Sequence, residues 1–184
     1  QQRADQLNAR LRPLAEGLGC PIIVRCDVQR PGELEAVFDR VRAAWGGLDF
    51  VLHSIAYAPL ADLHGRLVDS SSAGFTQAMD ISCHSFVRLA HLAEPLMPQG
   101  GSLLTVSYYG AEKVVAHYNL MGPVKAALES SVRYLAAELG PGGIRVNALS
   151  PGPLKTRAAS GIGHFEELLS LAAAKSQEHR TIVI

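Results

Sequence analysis

The feature that most constrains the fold is an alternation. Short apolar runs, PIIVRCDV at 21–28, LDFVLHSIA at 48–56, GGSLLTVSYY at 100–109 and GGIRVNALSPGPL at 142–154, are separated by stretches with helical apolar spacing. Each of the four is predicted as a strand, and each intervening stretch is long enough to cross to a parallel neighbour. Helices are predicted after Pro31 up to Gly46 and Gly47, over 71–97 with an irregular start, from beyond Tyr109 to about Leu139, and over 163–175. Apolar strands joined by such helices predict a parallel sheet covered on both faces. No internal repeat, low-complexity tract or linker interrupts the pattern, so residues 1–184 read as one doubly wound α/β domain.

Composition narrows the function classes. The 184 residues are 48% hydrophobic and 18% charged, a globular balance. Lys plus Arg and Asp plus Glu both total 17, which removes the electrostatic case for nucleic acid or an anionic membrane as main partner. No apolar run approaches the roughly 20 residues of a membrane-spanning helix. Cys20, Cys26 and Cys83 form no CxxC pair and no metal-ligand spacing, so they read as small, buried, reduced thiols of a cytoplasmic protein. The sequence opens without Met inside a helical pattern, Leu7, Leu11, Leu14 and Leu18 on one stripe, and stops on TIVI. Both ends are therefore expected to belong to a longer chain.

In open parallel sheets, ligands sit beyond the carboxyl ends of the strands. The candidate ends are Cys26-Asp27-Val28, His53-Ser54-Ile55-Ala56, Ser107-Tyr108-Tyr109 and Ser150-Pro151-Gly152-Pro153-Leu154. Asp27 could accept from an amine such as that of an adenine, or could cap the helix that follows. Ser54 and Gly152, taken singly, are no more than ordinary turn residues. The stretch VSYYGAEKVVAHYNLMGPVKAAL, 106–128, adds a tyrosine and a lysine seven places apart, Tyr118 and Lys125. On one helix these would lie roughly 20° apart around the axis and about 10 Å along it, able to present a phenol and an ammonium to one ligand. Ribose hydroxyls would satisfy a buried lysine, and its charge would favour ionisation of a nearby phenol. The alternative is a core tyrosine beside a snorkelling surface lysine.

These residues resemble the short-chain dehydrogenase/reductase superfamily, and more narrowly the bacterial enoyl-acyl-carrier-protein reductases of type II fatty acid synthesis. The usual superfamily pattern, Tyr-x3-Lys with a serine 13 residues earlier, would put Met121 and Tyr108 in those places. The chain instead has Tyr108, Tyr118 and Lys125, the Tyr-x9-Tyr-x6-Lys arrangement of the enoyl reductases. CDV at 26–28, HSIAYAP at 53–59, MDIS at 79–82, IRVNALSPGP at 144–153 and KTRAASGI at 155–162 match in order. The resemblance implies a Rossmann-like fold and hydride transfer from NADH, with NADPH open, to the β-carbon of a trans-2-enoyl thioester on acyl carrier protein or coenzyme A.

It also implies roles. Tyr118 would hydrogen-bond the thioester carbonyl, Lys125 the nicotinamide ribose, and Tyr108 would be a second active-site aromatic. Asp27 and Val28 would flank the adenine, and Ser54, Ile55 and Ala56 would line the cofactor on the adenine-ribose side. Leu154, Lys155, Thr156, Arg157 and Ala158 would lie by the nicotinamide and pyrophosphate, Ala58 would line the acyl pocket, and residues 159–174 would form a lid. A homotetramer is expected by the same resemblance, and helix packing through small residues of 118–139 fits an oligomer. The family's first βαβ unit, with its pyrophosphate turn, is expected before Gln1, and its last strand after Ile184. Two rivals stand beside this reading: a short-chain oxidoreductase acting on C=O, against which Met121 argues, and a non-catalytic member or fragment that keeps the fold.

Overall fold

The computed structural model describes residues 2–153 and 165–175 and divides into two compact units, Gln1–Gly47 and Leu48–Ile184. In the first, α1 (Gln2–Gly17) ends at Gly19, whose φ of 70° lets the Cys20 amide return to the Ala15 carbonyl at 2.9 Å, as in a Schellman cap. The helix is as predicted, but Leu11, Leu14 and Leu18 on its stripe are exposed. The strand expected at 21–28 does not form; residues 22–27 run without a ladder. The rest of the described unit is helix or turn, and an extended segment becomes a strand only beside another. Then α2 (Glu33–Trp45) buries Leu34, Phe38 and Val41 between left-handed Gly32 and Gly46.

The second unit carries the sheet. Its strands β1 (Phe50–His53), β2 (Gly101–Val106) and β3 (Ile144–Leu149) lie parallel and in sequence order. The register sets His53 beside Thr105 and Val106 beside Leu149, so three of the four suspected ends share one edge. Burial alternates along β3: Ile144 and Val146 are buried while Arg145 and Asn147 are exposed. Phe50, Leu52 and Leu149 are also exposed, whereas the central strand β2 has no exposed residue. The helix packed against β3 is α6 (Met121–Leu139), whose buried stripe includes Val124, Leu128, Val132 and Leu135.

The crossing from β1 to β2 holds α3 (Leu60–His64), α4 (Ser72–Met79) and α5 (Ser85–Ala93). Ser71 caps α4 by accepting from the Gly74 amide at 2.9 Å, and its own amide donates to Asp62 at 2.6 Å, tying α3 to α4. The irregularity predicted at the start of the 71–97 helix lies in its middle. Residues Asp80–His84 form a π turn between α4 and α5 and bury Ile81, Ser82 and Cys83, and such insertions recur at functional sites. The final described helix, α7 (Phe165–Lys175), falls where a helix was predicted.

Candidate active site

The site begins where β2 ends. Lys125, on the second turn of α6, is 5% exposed and donates from Nζ to the Val106 carbonyl at 2.6 Å, so the snorkelling alternative fails. Burial lowers its pKa to about 8, opposed by Cys83 and then Glu129, which leaves the ammonium mostly protonated at neutral pH. An ammonium has three donors; one goes to Val106. Ser107 follows in the chain, donating its hydroxyl to the Glu129 carboxylate and its amide to the Leu149 carbonyl at 2.7 Å.

Tyr118 is not on the helix. It sits in a turn three residues before α6, flanked by His117 at φ 63° and Asn119 at φ 40°. Left-handed residues cannot continue a right-handed helix, so the predicted helix from beyond Tyr109 starts late, and the helical-face geometry for Tyr118 and Lys125 is replaced by a turn. Asn119 secures that turn by donating from Nδ2 to the Leu63 carbonyl at 3.0 Å. The Tyr118 ring, 6% exposed, meets Tyr108 edge-on with centroids 4.8 Å apart. It packs in a cluster with Ala78, Leu120, Met121 and Val124, against which Ala58, Leu63, Met79, Tyr108 and Val115 lie. A side chain on Gly110 would run into this ring.

The electrostatics correct one expectation. Burial, with a smaller effect from Tyr108, pushes Tyr118's ionisation upward, and burial does the same to Tyr108. The phenol is therefore a neutral donor rather than one primed to ionise by Lys125. Among the described residues no hydrogen bond engages its hydroxyl. Met121, where the usual superfamily tyrosine would stand, is a buried apolar residue.

The other predicted residues divide by location. Ser54 and Ala56 are exposed beyond β1, Ile55 is half-buried, and the backbone there is open to a flat ligand. Gly152, beyond β3, also has open space on its side-chain side. Small residues at these ends, with a cation holding spare donors at β2, fit a dinucleotide. Asp27 and Val28 belong to the first unit. There Asp27 accepts from the Gln29 amide at 3.0 Å and lies 3.6 Å from Arg30, a local turn, but it does not cap α2, whose N-cap is Gly32 with no side-chain cap bond. Leu154, Lys155, Thr156, Arg157 and Ala158, and 159–164 of the expected lid, lie outside the described residues. Of the cysteines, Cys83 is buried, but Cys20 is exposed, against expectation.

Four residues carry more than sequence reasoning gave them. His53, 1% exposed, has Nδ1 2.9 Å from Thr105 Oγ1 and Nε2 2.8 Å from Ser85 Oγ. Burial and the charge of Lys125 lower its pKa to about 4, so it is neutral. Ser85 Oγ donates to the Ile81 carbonyl at 2.6 Å and Thr105 Oγ1 to the His53 carbonyl at 3.2 Å, so both hydroxyl oxygens are placed to accept from the ring, and the neutral imidazole donates to one of them at a time. Ser82 Oγ accepts from the Tyr57 amide at 2.9 Å and donates to the Tyr57 carbonyl at 3.0 Å, pinning the loop that bears Ala58. A histidine closing an apolar strand hints at the first role, and the i, i+4 spacing of Lys125 and Glu129 at Glu129's; nothing in the sequence marks Ser82 or Ser107.

A parallel sheet with a buried phenol and ammonium gathered at residues 106–108 defines a Rossmann-like oxidoreductase of the short-chain type. Comparison with known proteins narrows the class. A family profile described as enoyl-(acyl carrier protein) reductase matches residues 1–183, and the chain belongs to that family. It is 49% identical over 182 residues to the enoyl-[acyl-carrier-protein] reductase [NADH] 1 of Rhizobium meliloti, covering 99% of this chain and 67% of that one. It is 48% identical over 172 residues to the corresponding NADH enzyme of Rickettsia felis, covering 94% and 66%. The crystal structure of the Anaplasma phagocytophilum reductase in complex with NAD superposes with a TM-score of 0.90 at 49% identity, over 96% of this chain and 68% of that one. The chain thus spans about two thirds of the length of the curated relatives it matches.

Proposed function

We propose that this chain catalyses the NADH-dependent reduction of trans-2-enoyl thioesters carried on acyl carrier protein, as a step of fatty acid synthesis. One observation carries the reading: a neutral buried phenol and a buried ammonium converge on residues 106–108, with apolar Met121 in the position carbonyl-reducing relatives give to tyrosine. When bound, NADH supplies the hydride that the substrate's β-carbon accepts. Tyr118 donates a hydrogen bond to the thioester oxygen, where negative charge builds as that carbon is reduced, and the enolate so formed takes up a proton at its α-carbon to give the saturated thioester. A donor aimed at developing charge in a water-poor site stabilises the transition state more than the ground state, and burial keeps this donor protonated.

Lys125 gives its remaining N–H donors to the nicotinamide ribose, and its charge adds to the positive field around the oxygen. Tyr108 braces the Tyr118 ring edge-on, and Ala58, packed on the same cluster, forms the small-residue wall of the acyl pocket. Ser54, Ile55 and Ala56 contact the cofactor beyond β1, Asp27 and Val28 its adenine, and Leu154–Ala158 its nicotinamide and pyrophosphate, with 159–174 as lid. The protein works as a cytoplasmic homotetramer in this reading, and coenzyme A thioesters serve as surrogate substrates.

Oxidation of NADH on adding crotonyl thioester, with none on adding acetoacetyl thioester, is the expected result in the intact protein. Reduction of the acetoacetyl thioester instead would assign carbonyl chemistry. A folded protein that oxidises NADH with neither would be a non-catalytic member.

A further inference from the structure

Two consecutive residues at the end of β2 are held by two residues one turn apart on α6. The Val106 carbonyl takes the Lys125 ammonium at 2.6 Å, and the Ser107 hydroxyl donates to the Glu129 carboxylate. Ser107 is 3% exposed and is anchored on its other side by Leu149 of β3, so the strand end is fixed from both flanks. Tyr108, the next residue, holds the Tyr118 ring edge-on. A shift of the strand end along α6 would therefore move the Lys125 contact and the phenol's brace together.

We infer that Glu129 is a positioning residue: by holding Ser107 it locks the end of β2 in register with α6, which aims Lys125 and, through Tyr108, Tyr118. Glu129 touches neither reacting atom and acts through these neighbours. The inference rests on the enoyl-reductase reading for what Lys125 and Tyr118 are aimed at. The lock itself is a property of the chain. A carboxylate suits the task because a hydrogen bond to an ionised acceptor is stronger and more directional than one to a neutral group. Its charge also opposes the effect of burial on the neighbouring ammonium.

The test uses the intact protein and three variants: Glu129→Ala, Glu129→Gln and Ser107→Ala. NADH affinity is read by fluorescence titration, turnover with crotonyl thioester, and stability by urea unfolding. Glu129→Ala should weaken NADH binding about fivefold or more and lower kcat by about tenfold or more, with enoyl KM within about twofold. Glu129→Gln, whose amide oxygen still accepts from Ser107, should recover most of both losses. Ser107→Ala cuts the same bond from the other side and should reproduce the alanine effect, carrying the test if Glu129→Ala does not fold. Lower stability with NADH affinity and kcat at parental values would make the bond purely structural and overturn the inference. So would a Glu129→Gln protein as impaired as Glu129→Ala. A parent that binds NADH yet reduces no enoyl thioester would defeat the reading of function instead, and the affinity measurements would still decide the lock.

Discussion

Gly110→Ala isolates the packing that holds the phenol. Gly110 needs no special backbone conformation, so the substitution acts through space alone. Its added carbon would overlap the Tyr118 ring, with Cε1 at 2.8 Å and Cγ at 3.3 Å. The ring has little room to retreat: Tyr108 stands edge-on at 4.8 Å, and fully buried Ala78, Leu120 and Val124 share the cluster. Overpacking of this kind costs about 1–3 kcal/mol. With a urea dependence of about 2 kcal/mol per molar, that is a midpoint lowered by roughly 0.5–1.5 M. Activity should fall further than stability, because a displacement of about 1 Å at a positioned group can cost on the order of a hundredfold in rate. Gly142→Ala is the control: Gly142 has no left-handed φ, no proline after it and open space where the methyl goes, so it should be neutral or more stable by about 0.4–1 kcal/mol. Urea unfolding and steady-state reduction of crotonyl thioester, on both variants and the parent, decide the matter. A Gly110→Ala protein with parental midpoint and kcat would refute the packing assigned to Tyr118.

Tyr118→Phe should lower kcat by about a hundredfold with NADH affinity nearly intact, and Lys125→Ala should weaken NADH binding; parental behaviour of both would disprove their roles. His53 gives a pH signature. Its folded pKa, about 4, lies below the unfolded value of about 6.5, so the unfolded chain binds the extra proton. Stability is full above pH 6.5 and declines as pH falls toward 4, by about 3 kcal/mol in all. Urea midpoints across that range should flatten in His53→Gln, and an equal slope in both proteins would exclude the assignment. Ser82→Ala removes both bonds to Tyr57 and should cost about 1–2 kcal/mol, with faster amide exchange at 54–58; unchanged exchange would contradict the pin.

Most of the architecture was legible because it follows from periodicity. β1, β2, β3 and α2 appear where apolar runs and glycine stops predict them. The failures share a cause: each depends on something a local pattern does not carry. The 21–28 segment has strand composition, but ladder bonds come from a neighbour. The 117–119 turn is written in residues that helices also accept, and only its backbone torsions exclude it from α6. The π turn at 80–84 differs from a regular helix by a shift of hydrogen-bond partners, invisible to apolar spacing. The candidate site was legible as a set of strand ends plus Tyr108, Tyr118 and Lys125. Its supports, Ser82, Ser107 and Glu129, were not, since polar residues in the core gain meaning only from partners distant in sequence.

The displacement of the phenol from helix to turn has a chemical consequence. Four residues before Lys125, a helical tyrosine would take its orientation from the register it shares with the ammonium. Met121 fills that place with an apolar side chain buried beside Val124 and Leu120. Tyr118 takes its orientation from other segments: the Gly110 turn behind its ring, Tyr108 beyond β2, Leu63 accepting from its neighbour Asn119, and the loop bearing Ala58. The phenol and the ammonium thus stand on different segments, a turn and α6, tied together at the end of β2. Reducing a double bond conjugated to a carbonyl separates the two sites of reaction: hydride arrives at the β-carbon while negative charge accumulates on an oxygen three bonds away. A donor free of the lysine's register can be set at that greater distance, whereas carbonyl reduction needs both events on one C=O. In the proposed reading, the Tyr118–Lys125 spacing suits an enoyl substrate because the two groups stand on separate segments held in step at the end of β2.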